Sequence, residues 1–351
     1  MNHKSIRRII LIATLTLSIF LVGCAPAIRH PKIIALGFVN AGFEISVLDL
    51  SNSTRQYVTN SHVIAPTSYS YCESKKQVAY SAFVENGEEL IFQDLNNART
   101  EALTQGNNHF RFPVWSPDCS RLAFTSYDNN PNVLILNLED SQTRPAISSQ
   151  DISYVGASWS PDSHFLATYI PIPSKSGDNP EGFELGIVDV TTNNLLNHAQ
   201  GFLDYPFSDI AWNANSRQFY FSANRDAHSF DIYAFDLDEN IETPAIKTEF
   251  DDRYPLLSPD GKYLSFLQSS SIKDTYNLGL FELSSENTEF IIAEPEPIFS
   301  MFWLDSQRII FSEYNLAKNQ TIYYIVDIKT KTPKEISRFD GRFIAPKVLQ
   351  P

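Results

Sequence analysis

Aromatic and basic side chains recur in this chain, and these residue types suit the binding of another molecule better than catalysis. Arginine and the large aromatic residues supply most of the binding energy at protein interfaces. We therefore predict one binding face, and we expect about half of its members to be packed inside the fold instead. The candidate residues are His109, Phe110, Arg111, Tyr154, Tyr205, Phe207, Asp178, Asn179, Arg253 and Tyr254.

Two of these candidates, Asp178 and Asn179, belong to an insertion at residues 171–182 that contains three prolines and a Gly-Asp-Asn sequence. The prolines predict an ordered base and the Gly-Asp-Asn sequence a mobile tip, and loops of this kind often carry binding. A tolerated surface insertion without function explains the same residues, so both interpretations stay open.

The chain lacks the short motifs that carry much of hydrolytic and nucleotide chemistry. It contains no Gly-x-Ser-x-Gly, His-Glu-x-x-His, Cys-x-x-Cys or Gly-x-x-x-x-Gly-Lys sequence. Acidic residues are frequent, but a glycosidase pair is recognised by the separation of its carboxyl groups, which a sequence does not provide. We expect no catalytic residue, no cofactor and no metal.

A repeated sequence positions the candidate residues. Trp115-Ser116-Pro117-Asp118 returns as Trp159-Ser160-Pro161-Asp162 and as Leu257-Ser258-Pro259-Asp260-Gly261, each followed by a second apolar run. Proline presets φ, aspartate accepts hydrogen bonds from the following amides, and glycine adopts positive φ, so the repeat predicts a tight turn between two strands. The anchor residues that align with the first tryptophan are Tyr71, Trp115, Trp159, Trp212, Leu257 and Trp303, spaced 44, 44, 53, 45 and 46 residues apart.

A third apolar run recurs seven times, from Ile45–Leu50 to Tyr323–Ile328, and a weaker fourth run follows each copy. Four short strands in about 45 residues is the period of a β-propeller blade. A unit of this length is too small to fold alone without disulfides, so the copies must pack on one another. We predict an all-β, seven-bladed propeller of four-stranded antiparallel blades over residues 32–351.

The first blade is incomplete at the N-terminal end, because Lys32–Phe38 reads as a second strand with no first strand before it. At the other end of the chain, Arg342–Val348 aligns with Phe110–Trp115, with proline on proline and Val348 in the anchor column. We predict that the C-terminal strand completes the first blade, which is then split between residues 32–60 and 342–350. Such closure removes the free sheet edges.

The N-terminus has the pattern of an export signal. Residues 1–8 carry Lys4, Arg7 and Arg8, and residues 9–22 are apolar apart from three hydroxyl residues. Fourteen residues are short for a membrane span, and with the basic start they predict a secretory signal. The sequence Leu21-Val22-Gly23-Cys24 resembles the lipobox of bacterial lipoproteins, which implies cleavage of residues 1–23, lipidation of Cys24 and stable anchoring by several acyl chains.

Residues 24–31 are then a short tether, which holds the propeller close to the membrane. Ala25 follows the lipidated position, and if the source is Gram-negative, the resemblance to lipoproteins implies the outer membrane, with the propeller facing the periplasm. Loss of the signal takes the formal charge from −14 to −17, because the first 23 residues hold three cations and no acid. This charge disfavours nucleic-acid binding.

The two remaining cysteines, Cys72 and Cys119, fall in turns of adjacent blades. Export permits their oxidation. A bridge needs Cα atoms within about 7 Å, and the two residues occupy different positions in their turns. We therefore expect two packed, unpaired thiols rather than a disulfide.

The repeats Ser258–Phe266, Trp115–Asp118 and Trp159–Asp162 resemble those of TolB-type (WD40-like) propellers, which also occur in relatives of prolyl oligopeptidase and in oligogalacturonate lyases. The resemblance covers residues 32–350 and implies the fold far more than the function, since propellers host many functions. Two features depart from TolB itself: seven blades are counted where TolB has six, and residues 24–32 leave no room for TolB's additional domain. The partners of TolB are therefore not carried over.

A metal-dependent lyase is the alternative that this resemblance raises, because oligogalacturonate lyases hold a metal with histidines on the propeller. His62, His109, His198 and His228 fall in connections predicted to share one face, and His164 falls on the opposite face. Their blade positions do not converge, as metal ligands must. We expect instead a monomeric, non-catalytic module that binds or scaffolds an envelope protein or glycan and contacts the membrane through its lipid.

Overall fold

The structure is a computed structural model. It describes residues 31–39, 42–59, 66–84, 87–104, 109–127, 131–147, 155–174, 180–203, 210–225 and 229–349. In these ranges the chain folds into 28 β-strands, and none of the described segments is a helix long and apolar enough to cross a membrane.

The strands form seven blades, numbered along the chain. Blade 1 contains β1 (Lys32–Val39), β2 (Gly42–Asp49), β3 (Thr54–Tyr57) and β28 (Arg342–Leu349); blade 2 contains β4 (Pro66–Cys72), β5 (Gln77–Val84), β6 (Gly87–Asp94) and β7 (Thr100–Ala102); blade 3 contains β8 (Phe110–Trp115), β9 (Arg121–Ser126), β10 (Asn132–Asn137) and β11 (Gln142–Pro145). Blade 4 contains β12 (Val155–Trp159), β13 (Phe165–Ile172), β14 (Gly182–Asp189) and β15 (Asn194–Leu203); blade 5 contains β16 (Ala211–Trp212), β17 (Gln218–Asn224), β18 (Asp231–Asp236) and β19 (Ile241–Ile246). Blade 6 contains β20 (Asp252–Leu257), β21 (Tyr263–Ser269), β22 (Tyr276–Glu282) and β23 (Asn287–Glu296); blade 7 contains β24 (Ile298–Asp305), β25 (Arg308–Asn315), β26 (Gln320–Asp327) and β27 (Lys334–Asp340).

Every blade is an antiparallel sheet whose first strand is innermost, and blade 1 has the order β28-β1-β2-β3. The predicted seven-bladed propeller, closed by the C-terminal strand, is therefore confirmed. The anchor residues end or nearly end the innermost strands, as the repeat predicts. Two anchor indoles also link the blades, since Trp159 Nε1 donates to the Val114 carbonyl (3.0 Å) and Trp303 Nε1 donates to the Leu256 carbonyl (3.1 Å) of the preceding blade.

Seven hydrophobic clusters occupy the spaces between adjacent blades, one cluster for each neighbouring pair. The cluster between blades 7 and 1 includes Tyr323 and Phe343, both fully buried. The cluster between blades 1 and 2 includes Ile34 and Val78, also fully buried. Because each sheet is covered on both faces by its neighbours, the core is a closed ring rather than one central mass.

The repeated turn is held by its own side chains. Ser116 Oγ donates to Asp118 Oδ1 (2.5 Å), and the Ser120 N–H donates to the same oxygen (3.0 Å). Burial alone would raise the pKa of Asp118, but these hydrogen bonds and the charge of Arg121 bring it below its ordinary value. Asp162 and Asp260 accept equivalent bonds from Ser160 and Ser258, so the repeat's aspartates stabilise turns, as predicted.

The turns also bind one another around the ring. The Asp118 N–H donates to Ser163 Oγ of the next blade (3.3 Å), and the Asp162 N–H donates to Ser216 Oγ of the blade after it (3.0 Å). Ser163 and Ser216 lie four residues after their anchors, so the fourth position of each turn contacts the preceding blade.

This offset between neighbouring turns corrects the expectation of unpaired thiols. Cys72 and Cys119 form a disulfide, with Cα atoms 5.8 Å apart. Cys72 lies one residue after its anchor and Cys119 lies four residues after its own, in the column of Ser163. The sequence argued against a bridge because the two cysteines occupy different turn positions. In this ring, however, non-equivalent positions of neighbouring turns lie next to each other.

An irregularity in four innermost strands supports the alignment of the closing strand. Three residues before the anchor, the backbone adopts positive φ, and a β-bulge accompanies it in every case. The residues and their φ values are Phe112 (56°), Gly156 (65°), Tyr254 (56°) and Ala345 (49°). Since Ala345 shares this feature, β28 is a true inner strand, and its following proline is tolerated because an inner strand is a sheet edge.

Blades 4 and 5 depart from the regular pattern because they share one sheet. Phe202 and Leu203 of β15 pair with Asn224 and Ala223 of β17, along the edge that the start of an inner strand would occupy. Blade 5 accordingly keeps an inner strand of only two residues, β16. The hairpin between β13 and β14 contains most of the predicted insertion.

Removal of the closing strand should open the ring. β28 pairs with β1 from Arg342 to Leu349, and the ring of Phe343 fills the space left by Gly37, where a Cβ atom would lie 2.5 Å from it. Deletion of residues 342–351 removes this pairing and a buried phenylalanine, whose loss alone costs about 3–5 kcal/mol. We expect a lower melting temperature and association through the exposed edge of β1, measured by calorimetry and size-exclusion chromatography. Deletion of residues 350–351 alone is the control, and unchanged melting with a monodisperse profile in the longer deletion would contradict split closure.

The disulfide between blades 2 and 3 should contribute measurably to stability. It closes a loop with a sequence separation of 47, for which loss of chain entropy predicts about 4 kcal/mol. A C72S/C119S double variant should lose up to this free energy of unfolding in a denaturant titration. Reductant should lower the stability of the parent chain and leave the double variant unchanged. Alkylation of both cysteines in denaturant without reductant would show that no bridge forms.

Candidate functional site

The propeller has two unlike faces. The turn face carries the Ser-Pro-Asp turns, and the entering face carries the starts of the innermost strands and the hairpins between second and third strands. The structure places His109, Phe110, Arg111, Arg253 and Tyr254 at the starts of β8 and β20, on the entering face, as predicted. Tyr154, Asp178, Asn179, Tyr205 and Phe207 lie outside the described residues.

Arg111 at the start of β8 is engaged within the protein. Its Nε donates to a carboxylate oxygen of Glu88, whose side chain is fully buried. The guanidinium also lies 6.0 Å from the Phe83 ring and 5.8 Å from the Tyr127 ring. A buried carboxylate needs a paired cation, so Arg111 joins blades 2 and 3, and its partly exposed side chain remains a minor part of the face.

Phe110 and His109 are placed differently from each other. Phe110 is buried in the cluster between blades 2 and 3 and packs edge-on against Phe124, with ring centroids 5.5 Å apart. It is therefore a core residue and not part of the binding surface, because β8 directs it towards blade 2. His109 is exposed and forms an isolated bridge with Glu88.

Arg253 and Tyr254 lie where blade 6 meets the cavity described below. The Arg253 guanidinium lies 3.7 Å above the Phe230 ring and donates to Asp251 (3.0 Å), and burial lowers its pKa. Arg253 therefore binds blade 5 to blade 6. Tyr254 takes the bulge position of β20, which turns its side chain to the cavity wall.

A polar cluster between blades 5 and 6 contains a carboxyl group with an altered pKa. Asp252 is fully buried, and its two oxygens accept from Gln268 (3.0 Å) and Thr248 (2.9 Å). Burial raises the pKa of Asp252 to about 6, helped by the charges of Asp231 and Asp251 and opposed by the two hydrogen bonds. Asp231 is also buried, and Lys247 pairs with it at 3.2 Å.

The described residues contain no group of three or more His, Cys, Asp or Glu side chains arranged to hold a metal. His62 and His228 lie outside the described ranges, and only the backbone of His198 is described. His164 lies on the turn face beside Asp162, where it was predicted. The described residues therefore do not test the alternative of a histidine-based metal site.

A cavity of about 880 Å³ follows the innermost strand of blade 7 and is walled by β20 of blade 6 and β28 of blade 1. Its walls are mostly apolar and aromatic, and they include Tyr254, Leu256, Tyr276, Met301 and Trp303. Its charged residues are Asp274, Arg342 and Lys347. A concave, largely apolar site with a few charged groups is the usual form of a ligand site.

Arg342 at the mouth of this cavity was missed in the sequence. Its guanidinium lies 4.5 Å from the Phe299 ring and 5.7 Å from the Tyr314 ring. The sequence could have indicated this residue, because the alignment of β28 with β8 places Arg342 at the position of the candidate His109. Phe299 likewise shares the column of Arg111, four residues before the anchor.

The buried carboxyl group predicts a pH effect on stability. The folded chain keeps the proton of Asp252 up to about pH 6, whereas the unfolded chain releases it near pH 4. This group therefore favours folding at low pH, and its contribution is lost as the pH rises from about 4 to 6, by up to about 3 kcal/mol. D252N, which stays neutral, should lack that loss and be more stable than the parent at pH 7, measured by denaturant titration across this range. D140N, at an exposed ion pair, is the control and should keep the parental pH profile; a parental profile in D252N would contradict the assignment.

Comparison with solved structures shows the same fold at low sequence identity. TolB from Acinetobacter baumannii is 16% identical, with a TM-score of 0.52, over 91% of this chain and 83% of that chain. An oligogalacturonate lyase in complex with manganese is 12% identical, with a TM-score of 0.62, over 88% and 85%. A prolyl endopeptidase is 10% identical, with a TM-score of 0.61, over 92% of this chain and 51% of that chain. These likenesses show the fold alone.

Among curated proteins, none matches this chain. The family model described as the TolB beta propeller domain matches residues 36–273, which is more than half of the chain. The repeated turn, the innermost-strand anchors and the ring of blades all lie largely within this match. The chain belongs to the TolB beta propeller domain family.

Proposed function

We propose that this protein is a lipid-anchored protein of the bacterial cell envelope whose propeller acts as a non-catalytic module that binds or scaffolds an envelope protein or glycan. The observation that carries the proposal is the aromatic, cation-bearing cavity whose lining includes the entering-face residues Asp274, Leu316 and Arg342. In the lipoprotein model, Cys24 carries the anchor and, in a Gram-negative cell, holds the propeller at the outer membrane.

The direction of the first strand supports different roles for the two faces, with the turn face towards the membrane and the entering face away from it. Lys32 pairs with Asp49 and Leu349, at the turn-face end of blade 1, and Phe38 pairs with Arg342 at the entering-face end. The tether therefore joins the propeller on the turn face. Nine residues from Cys24 to Lys32 span at most about 30 Å, so an anchored propeller presents its entering face away from the membrane.

Exposed apolar side chains support the proposal that the entering face is the interacting one. In five consecutive blades, from blade 6 through blade 1 to blade 3, the hairpin between the second and third strands carries a large exposed apolar residue. These residues are Ile272, Leu316, Phe38 with Phe43, Phe83 and Tyr127. Large exposed apolar groups rimmed by polar ones are typical of interaction sites, so we favour an envelope protein over a glycan as the partner.

The anchor has a direct test. A C24S variant cannot be lipidated and should move from the membrane fraction to the soluble fraction of the cell envelope, with loss of metabolic labelling by palmitate. C72S/C119S, which retains Cys24, is the control and should stay membrane-bound. Membrane retention and labelling of C24S would contradict the lipoprotein assignment.

The binding role should be tested in the anchored, full-length chain. A photo-crosslinking amino acid at Phe83 or Leu316 on the entering face should yield a discrete adduct with an envelope component. The same group at Lys331, on the turn side of the outer strands, should yield none. Equal crosslinking from both positions would contradict a specific entering face.

A metal-dependent polysaccharide lyase, or another glycan-active enzyme, is the alternative with a fold-level precedent among the solved structures. Incubation of the protein with manganese or calcium and oligouronides distinguishes the two functions. The binding-module proposal predicts no product. Metal-dependent product formation that is abolished in H109A would overturn it.

A further inference from the structure

Arg342 differs from the other arginines of the described chain. Of the eleven arginines in the described ranges, nine pair with a carboxylate, and Arg121 donates to the Ser163 carbonyl (2.6 Å). Arg342 has no such partner among these residues and only stacks on Phe299 and Tyr314. In a chain with 41 acidic and 27 basic residues, an arginine without a carboxylate is a cation available to a ligand.

Lys347 adds a second cation to the same cavity, also without an acidic partner in the described chain. Arg342 and Lys347 lie five residues apart on β28, whose consecutive residues Ala345, Pro346, Lys347 and Val348 all line the cavity. The cavity is therefore bordered by the unpaired edge of β28 and not by one face of its sheet. Among the described lining residues, Asp274 is the only acid that opposes the two cations.

The cavity walls discriminate between classes of anionic ligand. The innermost strands β24 and β28 each have one edge unpaired in its sheet, and such edges offer backbone N–H and C=O groups to an extended chain. An acyl chain would leave these polar groups unsatisfied. A sugar would pair with these groups irregularly, since its hydroxyl groups lack the regular strand spacing of a peptide backbone.

We propose that this cavity binds an extended acidic peptide segment, with Arg342 and Lys347 pairing with two carboxylates of the peptide. The inference rests on the proposed binding function and names its ligand class. The two cations are about 15 Å apart along an extended strand, which matches carboxylates at the two ends of a pentapeptide. Apolar peptide side chains between them would pack on Leu256, Met301 and Trp303.

The probe is Asp-Leu-Val-Leu-Phe with a free C-terminal carboxylate and a fluorophore coupled through an amide bond to its N-terminal amine. Fluorescence polarisation with the full-length chain in detergent measures its affinity. Amidation of the C-terminus, or replacement of the aspartate by asparagine, should each weaken binding about tenfold, since each removes one charge-assisted pair. The amidated peptide tests the C-terminal carboxylate as the anchoring group, and the asparagine peptide tests the side-chain carboxylate. At high salt, each change should weaken peptide binding by a smaller factor.

The variants R342Q and K347Q should each weaken binding of the free-acid peptide about tenfold and should weaken the amidated, asparagine-containing peptide much less. R144Q is the matched control, because Arg144 is an exposed arginine paired with Asp140 on the outer strand of blade 3. Melting temperatures show whether each variant retains the fold. K347Q keeps the stacked arginine, so it tests the site even if R342Q is unstable.

Equal affinity of the charged and neutral peptides, or of the parent and K347Q for the charged peptide, would overturn the inference. So would an absence of peptide binding, or an oligouronide that binds in its place with the same dependence on Lys347. Failure here is separate from failure of the proposed function. A specific entering-face adduct in cells, together with no peptide binding, would leave the binding module standing and remove the acidic peptide as its ligand.

Discussion

The structure depends on one constraint: a four-stranded blade has two apolar faces and needs a neighbour on each. Seven interblade clusters satisfy this constraint only if blade 1 joins blade 7 as well as blade 2. β28 completes blade 1, and its Phe343 is fully buried in the space left by Gly37. Because every blade depends on two neighbours, loss of this strand weakens the whole ring and not only its own blade.

The strand that closes the ring also builds the cavity. β28 brings Arg342 and Lys347 to a wall that blades 6 and 7 cannot complete alone. The bulge that ends in positive φ at Ala345 recurs in three other inner strands, so it belongs to the propeller's construction. In β28 the consecutive residues Ala345, Pro346, Lys347 and Val348 at this bulge all line the cavity, so a feature of the fold also borders the site.

Column alignment of the repeats was sufficient to predict the blades, their strand order and the split closure, because each column reflects a local turn or strand. It was insufficient for contacts between blades. Cys72 and Cys119 occupy different columns, yet neighbouring turns are offset so that these columns meet. Phe110 and Arg342 lie at nearly equivalent strand starts, but one is buried and one is exposed. Burial at these positions is set by the neighbouring blade, which a single repeat does not contain.

The two faces differ in what their own side chains leave unsatisfied. On the turn face, Asp118, Asp162 and Asp260 accept hydrogen bonds from their own turns and hold depressed pKa values, so these carboxylates have little capacity left for a ligand. On the entering face, hairpin tips leave Phe83 and Leu316 exposed, and Arg342 lacks a carboxylate among the described residues. The repeated sequence therefore forms the part of the molecule whose polar side chains are already hydrogen-bonded within the protein. Function is to be sought where the repeats end, because unpaired charge and uncovered apolar surface gain most from a partner.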